Sequence, residues 1–162
     1  MSKKHMTDCP PGLAHFLCSA KAATYAAQGD DASVTPVLPD SRQLEYRDGT
    51  FLYRDIYVGI RRFVGQEVVY LNDRAVWSMS YAGGLAQGVS QGAARPVYTF
   101  LRRALLTPSP EFPVRGPAEL AAEGLHYACN CEGSLAWFQG SERITQDGAL
   151  LYTLRFAGGL LQ

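Results

Sequence analysis

Apolar and polar positions alternate with a period of two over two long stretches, Tyr53–Leu85 and Tyr127–Leu160. Such alternation marks strands with one face on a core and one in water. In the first stretch Tyr53, Asp55 and Tyr57 point one way, and Arg54, Ile56 and Val58 the other. Phe63–Leu71 continues as strand, Asn72-Asp73 reads as a tight hairpin turn, and Ala75, Trp77, Met79 and Tyr81 share one face of the returning strand. In the second stretch Asp147-Gly148 is the turn, and Leu150, Tyr152, Leu154 and Phe156 take the equivalent face. A helical period replaces the alternation in two places. Leu13, Phe16, Leu17, Ala20 and Thr24 form one such stripe, entered through Asp8-Cys9-Pro10-Pro11 and closed by Gly29 and the loop 30–40. Val97, Phe100, Leu101, Ala104 and Leu105 form the other, with Pro96 as its opening residue. Gln43–Tyr46 reads as a short strand, and Pro108–Pro117 as an extended connection.

The two alternating stretches also align with each other. With one residue added before Phe138, Gly59 meets Gly133, Phe63 meets Phe138, Glu67 meets Glu142, and Ala82-Gly83-Gly84-Leu85 meets Ala157-Gly158-Gly159-Leu160. Roughly a quarter of the positions are identical, against ~6% for average composition. Phe100-Leu101 and Ala104 echo Phe16-Leu17 and Ala20, so the helices join the pattern. The expected fold is therefore α+β: internally duplicated helix-plus-three-strand units, with an antiparallel sheet and two helices packed on one face. One domain is expected over 8–162, with repeats at about 12–85 and 96–160. Met1–Thr7, where His5-Met6 resembles a cloning remnant, is set aside as a disordered tail.

Composition narrows the function classes. The 162 residues carry 15 Lys+Arg and 15 Asp+Glu, so zero net charge supplies no general attraction to nucleic acid or an anionic membrane. The polar start MSKKHMTDCPP is no signal peptide, and no apolar run reaches bilayer length, so a cytoplasmic location is expected. Four cysteines without a sign of secretion are expected as thiols. Cys129 and Cys131 would share a strand face, but the other two ligands of a zinc site are not spaced to join them, so no metal and no cofactor is expected.

FLCSAKAATYA, YRDIYVG, FVGQEVVY, VWSMSYAGG, PVRGP and RFAGGL occur in that order. Together they resemble an uncharacterised bacterial and archaeal domain family. Its members stand alone or follow an Xre-type helix-turn-helix in annotated transcriptional regulators. The resemblance runs from about Leu13 and carries no established activity. There is no room for a helix-turn-helix before Leu13, so direct nucleic-acid binding is not expected.

Several polar residues stand out within this frame. Asp55 between two phenols could hold an amine, a hydroxyl or a guanidinium; equally, it could be a buried carboxylate serving the sheet. Its counterparts Cys129 and Cys131 show that the fold does not demand that polar set. Glu67 and Glu142 could face each other as a catalytic carboxylate pair or accept structural bonds, which is the preferred role. Arg115, before Gly-Pro, suits an anionic ligand or an internal pair with Glu67 or Asp55. Trp77 and the sheet tyrosines fit either a core or the wall of a ligand cavity. His5, His15 and His126 assemble no catalytic constellation, and Ala-Gly-Gly-Leu is expected to end strands rather than cradle phosphate.

The leading expectation is a non-catalytic domain that binds or senses a small ligand. Tyr53, Asp55, Tyr57 and Trp77, with Glu67 and Arg115 at the rim, would line one asymmetric pocket in the first half. An Asp55 that sees only tyrosines would be partly unsatisfied while the pocket is empty. The alternative is a protein-interaction module, self-association as a homodimer included. The third is a hydrolase-like enzyme using Asp55, Glu67 or Glu142.

Overall fold

The computed structural model describes residues 9–24 and 33–161. The expectations for Met1–Thr7, Asp8, Gly29 and the start of the 30–40 loop fall outside those residues. Helix α1 (Leu13–Ala23) is followed by β1 (Ser33–Val34), β2 (Ser41–Asp48), β3 (Phe51–Gly59), β4 (Arg62–Leu71) and β5 (Arg74–Leu85). Helix α2 (Gln91–Leu105) then leads to β6 (Glu119–Ala122), β7 (Leu125–Ser134), β8 (Trp137–Gln146) and β9 (Ala149–Leu160). No helix among the described residues is long and apolar enough to cross a membrane.

All nine strands lie in one antiparallel sheet in the order β1-β2-β3-β4-β5-β9-β8-β7-β6. This corrects the expected α+β class of helix-plus-three-strand units. The fold is β-rich, and the sheet, not a helix-strand module, is its organising element. The strands run long: β3 and β4 pair from Phe51↔Leu71 to Gly59↔Phe63, and β8 and β9 from Trp137↔Gly159 to Gln146↔Ala149. β2, spanning the whole of 41–48, and β6 extend the two meanders outward. Their residues alternate weakly, because β6 is an edge strand and β2 is covered on its outer side only by the two-residue β1. The helices pack differently, α1 against β2 and β3, α2 against β7. α2 also begins five residues before Pro96, at Gln91, where the Ser90 hydroxyl accepts from the Ala93 N–H at 3.3 Å.

The sheet closes at its centre through glycine. β5 and β9 pair from Trp77↔Leu160 to Leu85↔Tyr152, with Ser78 opposite Gly159 and Gly83 opposite Leu154. A Cβ on Gly158 would stand 2.2 Å from the Ser78 carbonyl oxygen, and one on Gly83 2.4 Å from that of Thr153. The Ala-Gly-Gly-Leu glycines therefore belong to the ladder and let the two meanders approach. As expected, the two Ala-Gly-Gly-Leu segments are the last residues of β5 and β9 and end both strands.

Both hairpins carry the same irregularity. The register shifts between Val69 and Tyr70 against β5, and between Ile144 and Thr145 against β9. The extra residue reverses the alternation beyond it. Ala75 and Leu150, expected on the inner face, are exposed; Trp77, Met79, Tyr81, Tyr152, Leu154 and Phe156 remain buried. With Leu13, Phe16, Leu17, Phe100, Leu101 and Ala104 from the helices they form one apolar core on one face of the sheet.

Candidate functional site

The inner faces of the two meanders carry buried charge, arranged in two different ways. In the β7–β9 half, Glu142 is fully enclosed. The Arg115 guanidinium donates to both of its oxygens, Nε to Oε2 at 3.0 Å. The Tyr127 and Tyr152 hydroxyls donate to it at 2.6 and 2.8 Å. The Gly116 N–H in turn donates to the Tyr127 hydroxyl at 3.1 Å. Burial would raise this carboxyl, but the Arg115 charge and four donated bonds outweigh it and hold Glu142 below its ordinary range. Each polar group here has a partner, and together they anchor the 108–117 connection to the sheet.

In the β3–β5 half, Glu67 is paired with Lys21 of α1 at 2.6 Å. Tyr53 also hydrogen-bonds Glu67, and the Lys21 ammonium lies 5.8 Å from the Tyr53 ring centre. Asp55 sits directly opposite Glu67 across β3 and β4. Its donor is Tyr81, at 2.6 Å, on β5. Burial first, and the Glu67 charge second, push the Asp55 carboxyl up to about 7, against the opposing pull of Tyr81, Lys21 and Arg115. It therefore exchanges its proton near neutrality, where it can accept a hydrogen bond or donate one.

Asp55 and Glu67 border a cavity of about 180 Å³. Its buried end is formed by Lys21, Thr24, Tyr53, Tyr81, Leu105 and Arg115. Towards solvent follow Tyr57, Phe63, Tyr98, Arg42, Arg102 and Ile60. The Phe63 ring contacts those of Tyr57, Tyr81 and Tyr98, with centroids 6.0 to 6.4 Å apart. The Tyr98 hydroxyl donates to the Ile60 carbonyl at 2.9 Å, tying α2 to the β3–β4 turn.

Of the residues expected to line a pocket, Tyr53, Asp55, Tyr57, Glu67 and Arg115 all border this cavity. Trp77 does not. Its ring stacks on Phe138 with centroids 5.7 Å apart, and its Nε1–H donates to the Leu135 carbonyl at 3.2 Å, making it a core residue between the two halves. Glu67 and Arg115 are buried in the wall rather than placed at the rim. Glu67 and Glu142 do not face each other; each is matched with a cation from its own side, Lys21 or Arg115. Arg115 thus pairs with neither Glu67 nor Asp55. Nor is Asp55 left waiting for a ligand: among the described residues no fully buried side-chain nitrogen or oxygen lacks a partner.

Lys21, Thr24, Arg42, Tyr81, Tyr98 and Arg102 were not expected in the site. Lys21 and Arg102 lie on helices whose facing only packing decides, while Tyr81 was assigned to the core by the same alternation that places it beside Asp55. Cys129 and Cys131, each opposite β8 and partly buried, are pushed up by burial to about 11, so both are thiols at neutral pH. Among the described residues no cluster of three His, Cys, Asp or Glu side chains is placed to hold a metal.

No curated protein and no solved structure matches this chain. The family described as a domain of unknown function, DUF5680, matches residues 55–161, and the chain belongs to that family.

Proposed function

We propose that this protein binds a small organic molecule, without transforming it, in the cavity between the β3–β5 face, α1 and α2. The observation that carries this reading is the contrast of wall chemistry around about 180 Å³ of space. Aromatic surface from Tyr57, Phe63 and Tyr98 meets the Asp55 carboxyl and the Lys21–Glu67 pair. Binding sites combine apolar walls with a few placed polar groups in this way. Lys21, Thr24, Arg42 and Tyr53 precede the family-matched span, so the α1–β3 segment completes the pocket.

The test is native mass spectrometry of the purified chain, joined to a small-molecule library read by thermal shift and calorimetry. One molecule should bind per chain. Asp55→Asn and Tyr57→Ala should each weaken binding by tenfold or more while the circular dichroism is unchanged; Cys129→Ser should leave it intact. Binding that survives both pocket substitutions, or no saturable binding at all, overturns the reading.

A second reading has its own observation. Val58, Val64 and Leu150 are exposed around one depression of the sheet's outer side, and Trp137, at 77% of its surface, is exposed beside a second with Leu160 and Leu161. Apolar side chains grouped in this manner favour protein contact or self-association. A concentration-dependent mass by analytical ultracentrifugation that Trp137→Ser abolishes would favour it.

A further inference from the structure

We infer that the ligand is a small organic amine, about one aromatic ring in size, held by its ammonium group at Asp55. This rests on the pocket reading above and names the class of molecule the pocket takes. Buried charge in this protein does not balance. Among the described residues two bases are buried, Lys21 and Arg115, against three acids, Asp55, Glu67 and Glu142. Lys21 is matched by Glu67 and Arg115 by Glu142. Asp55 is left over: it is 4% exposed and, among the described residues, in no ion pair. Its bond from Tyr81 satisfies one oxygen and brings no charge. A buried carboxylate without a counter-charge carries a desolvation penalty that a cation offsets.

The free oxygen of Asp55 faces the cavity. Tyr81 reaches Oδ1 across Gly65, where a Cβ would stand 2.3 Å from the phenol oxygen. Among the described residues nothing donates to Oδ2. Every fully enclosed side-chain oxygen there has a partner, so Oδ2 is open, and the space Asp55 borders is this cavity. An ammonium in that space donates to Oδ2. The walls suit the rest of such a molecule. Phe63 meets Tyr57 and Tyr81 at interplanar angles of 65° and 70°, which encloses the space with rings of different orientation. Organic cations favour such surroundings. The same wall already pairs cations with phenols: Lys21 lies 5.8 Å from the Tyr53 ring centre and Arg115 5.9 Å from that of Tyr81. The cavity's volume of about 180 Å³ is close to the ~150 Å³ of an engineered apolar cavity that takes up benzene, which sets the ligand at one ring. Exposed Arg42 borders the solvent end, where a second ammonium would meet like charge, so a monoamine fits best.

Benzylamine, benzyl alcohol and benzoate share one ring and differ in charge, and calorimetry on the full chain compares them. At pH 8 benzylamine should bind at least tenfold more tightly than benzyl alcohol, and benzoate more weakly than either. Asp55→Asn should bring benzylamine down to the level of the alcohol. Protons give a second readout. The groups around Asp55 are Glu67 on β4, Tyr81 on β5, Lys21 on α1 and Arg115 on the 108–117 connection, and with burial they leave its carboxyl at about 7. At pH 6 an arriving ammonium displaces that proton, so about one proton should leave per molecule bound, read from the heats in two buffers of different ionisation enthalpy; at pH 8 almost none should. Benzylamine no tighter than benzyl alcohol, amine binding indifferent to Asp55→Asn, or amine binding without proton release at pH 6 overturns the ammonium at Asp55 and leaves the pocket reading standing. If none of the three binds, this inference falls, and the library screen separately decides whether the pocket binds anything.

Discussion

The β3–β5 and β7–β9 meanders share a backbone plan and differ in what they enclose. Gly59 and Gly133 both take positive φ, 92° and 103°. Glu67 and Glu142 both lie buried on the inner face, and each faces the residue that differs most between the halves, Asp55 in one and Cys129 in the other. The differences come in linked sets. Where Asp55 is present, Tyr81 supplies its donor; where Cys129 stands, the position of Tyr81 is held by Phe156. Where Tyr152 gives Glu142 a hydrogen bond, Trp77 at the matching position turns its N–H to a backbone carbonyl instead. A buried carboxylate can thus be locked or left poised by the same scaffold. Four donated bonds, two of them from the Arg115 guanidinium, lock Glu142, while burial, reinforced by the Glu67 carboxylate across the strand pair, poises Asp55.

The comparison breaks hardest at the locked side. Glu142→Gln leaves the buried Arg115 without its counter-charge and should cost ~3–5 kcal/mol of stability by urea denaturation. Glu67→Gln should cost clearly less, because the Lys21 ammonium sits on a flexible stem beside the cavity and can reach water there. Equal losses would mean that both carboxylates are structural to the same degree.

Trp77→Ala and Tyr152→Ala delete matched core positions and should each cost ~3–5 kcal/mol. Tyr152→Phe should cost ~1–2 kcal/mol by removing one donor from Glu142. A Tyr152→Phe loss near that of Tyr152→Ala would show that hydrogen bonding, not packing, dominates there.

The pH dependence of stability should separate the halves by sign. Glu142 is held low, so its contribution is present above the unfolded carboxyl pKa and is lost as pH falls through its folded value. Asp55 is raised to about 7, so the folded state binds its proton more tightly than the unfolded chain does. Its charge therefore costs stability progressively as pH rises from about 4 to about 7. Asp55→Asn should remove that decline and be more stable than the wild type at pH 8, with the advantage gone at pH 4. A constant difference across that range would place Asp55 among the fully compensated carboxylates.

The smallest effect is expected at the thiols. Cys129→Ser, in a partly buried position, should cost ~1 kcal/mol. A loss of several kcal/mol would reveal that Cys129 fills its half as tightly as the aromatic residues do.

What the chain determined by itself is local. The period-two alternation placed strands and both hairpin turns, where Asn72-Asp73 and Asp147-Gly148 all adopt positive φ. Helical spacing placed the buried faces of both helices, and the contrast of Tyr-x-Asp-x-Tyr with Tyr-x-Cys-x-Cys located the uneven half. Only tertiary structure decided the rest, because those outcomes depend on neighbours distant in sequence. The bulges that turn Ala75 and Leu150 outward arise in the pairing of two strands. The Gly83 and Gly158 seam has meaning only once β5 meets β9. The match of Arg115 with Glu142 rather than Glu67 spans 27 residues and follows from where the 108–117 connection crosses the sheet. Whether a buried carboxylate is locked or poised depends on which cations the folded chain brings within reach, and residue type alone does not set that distance.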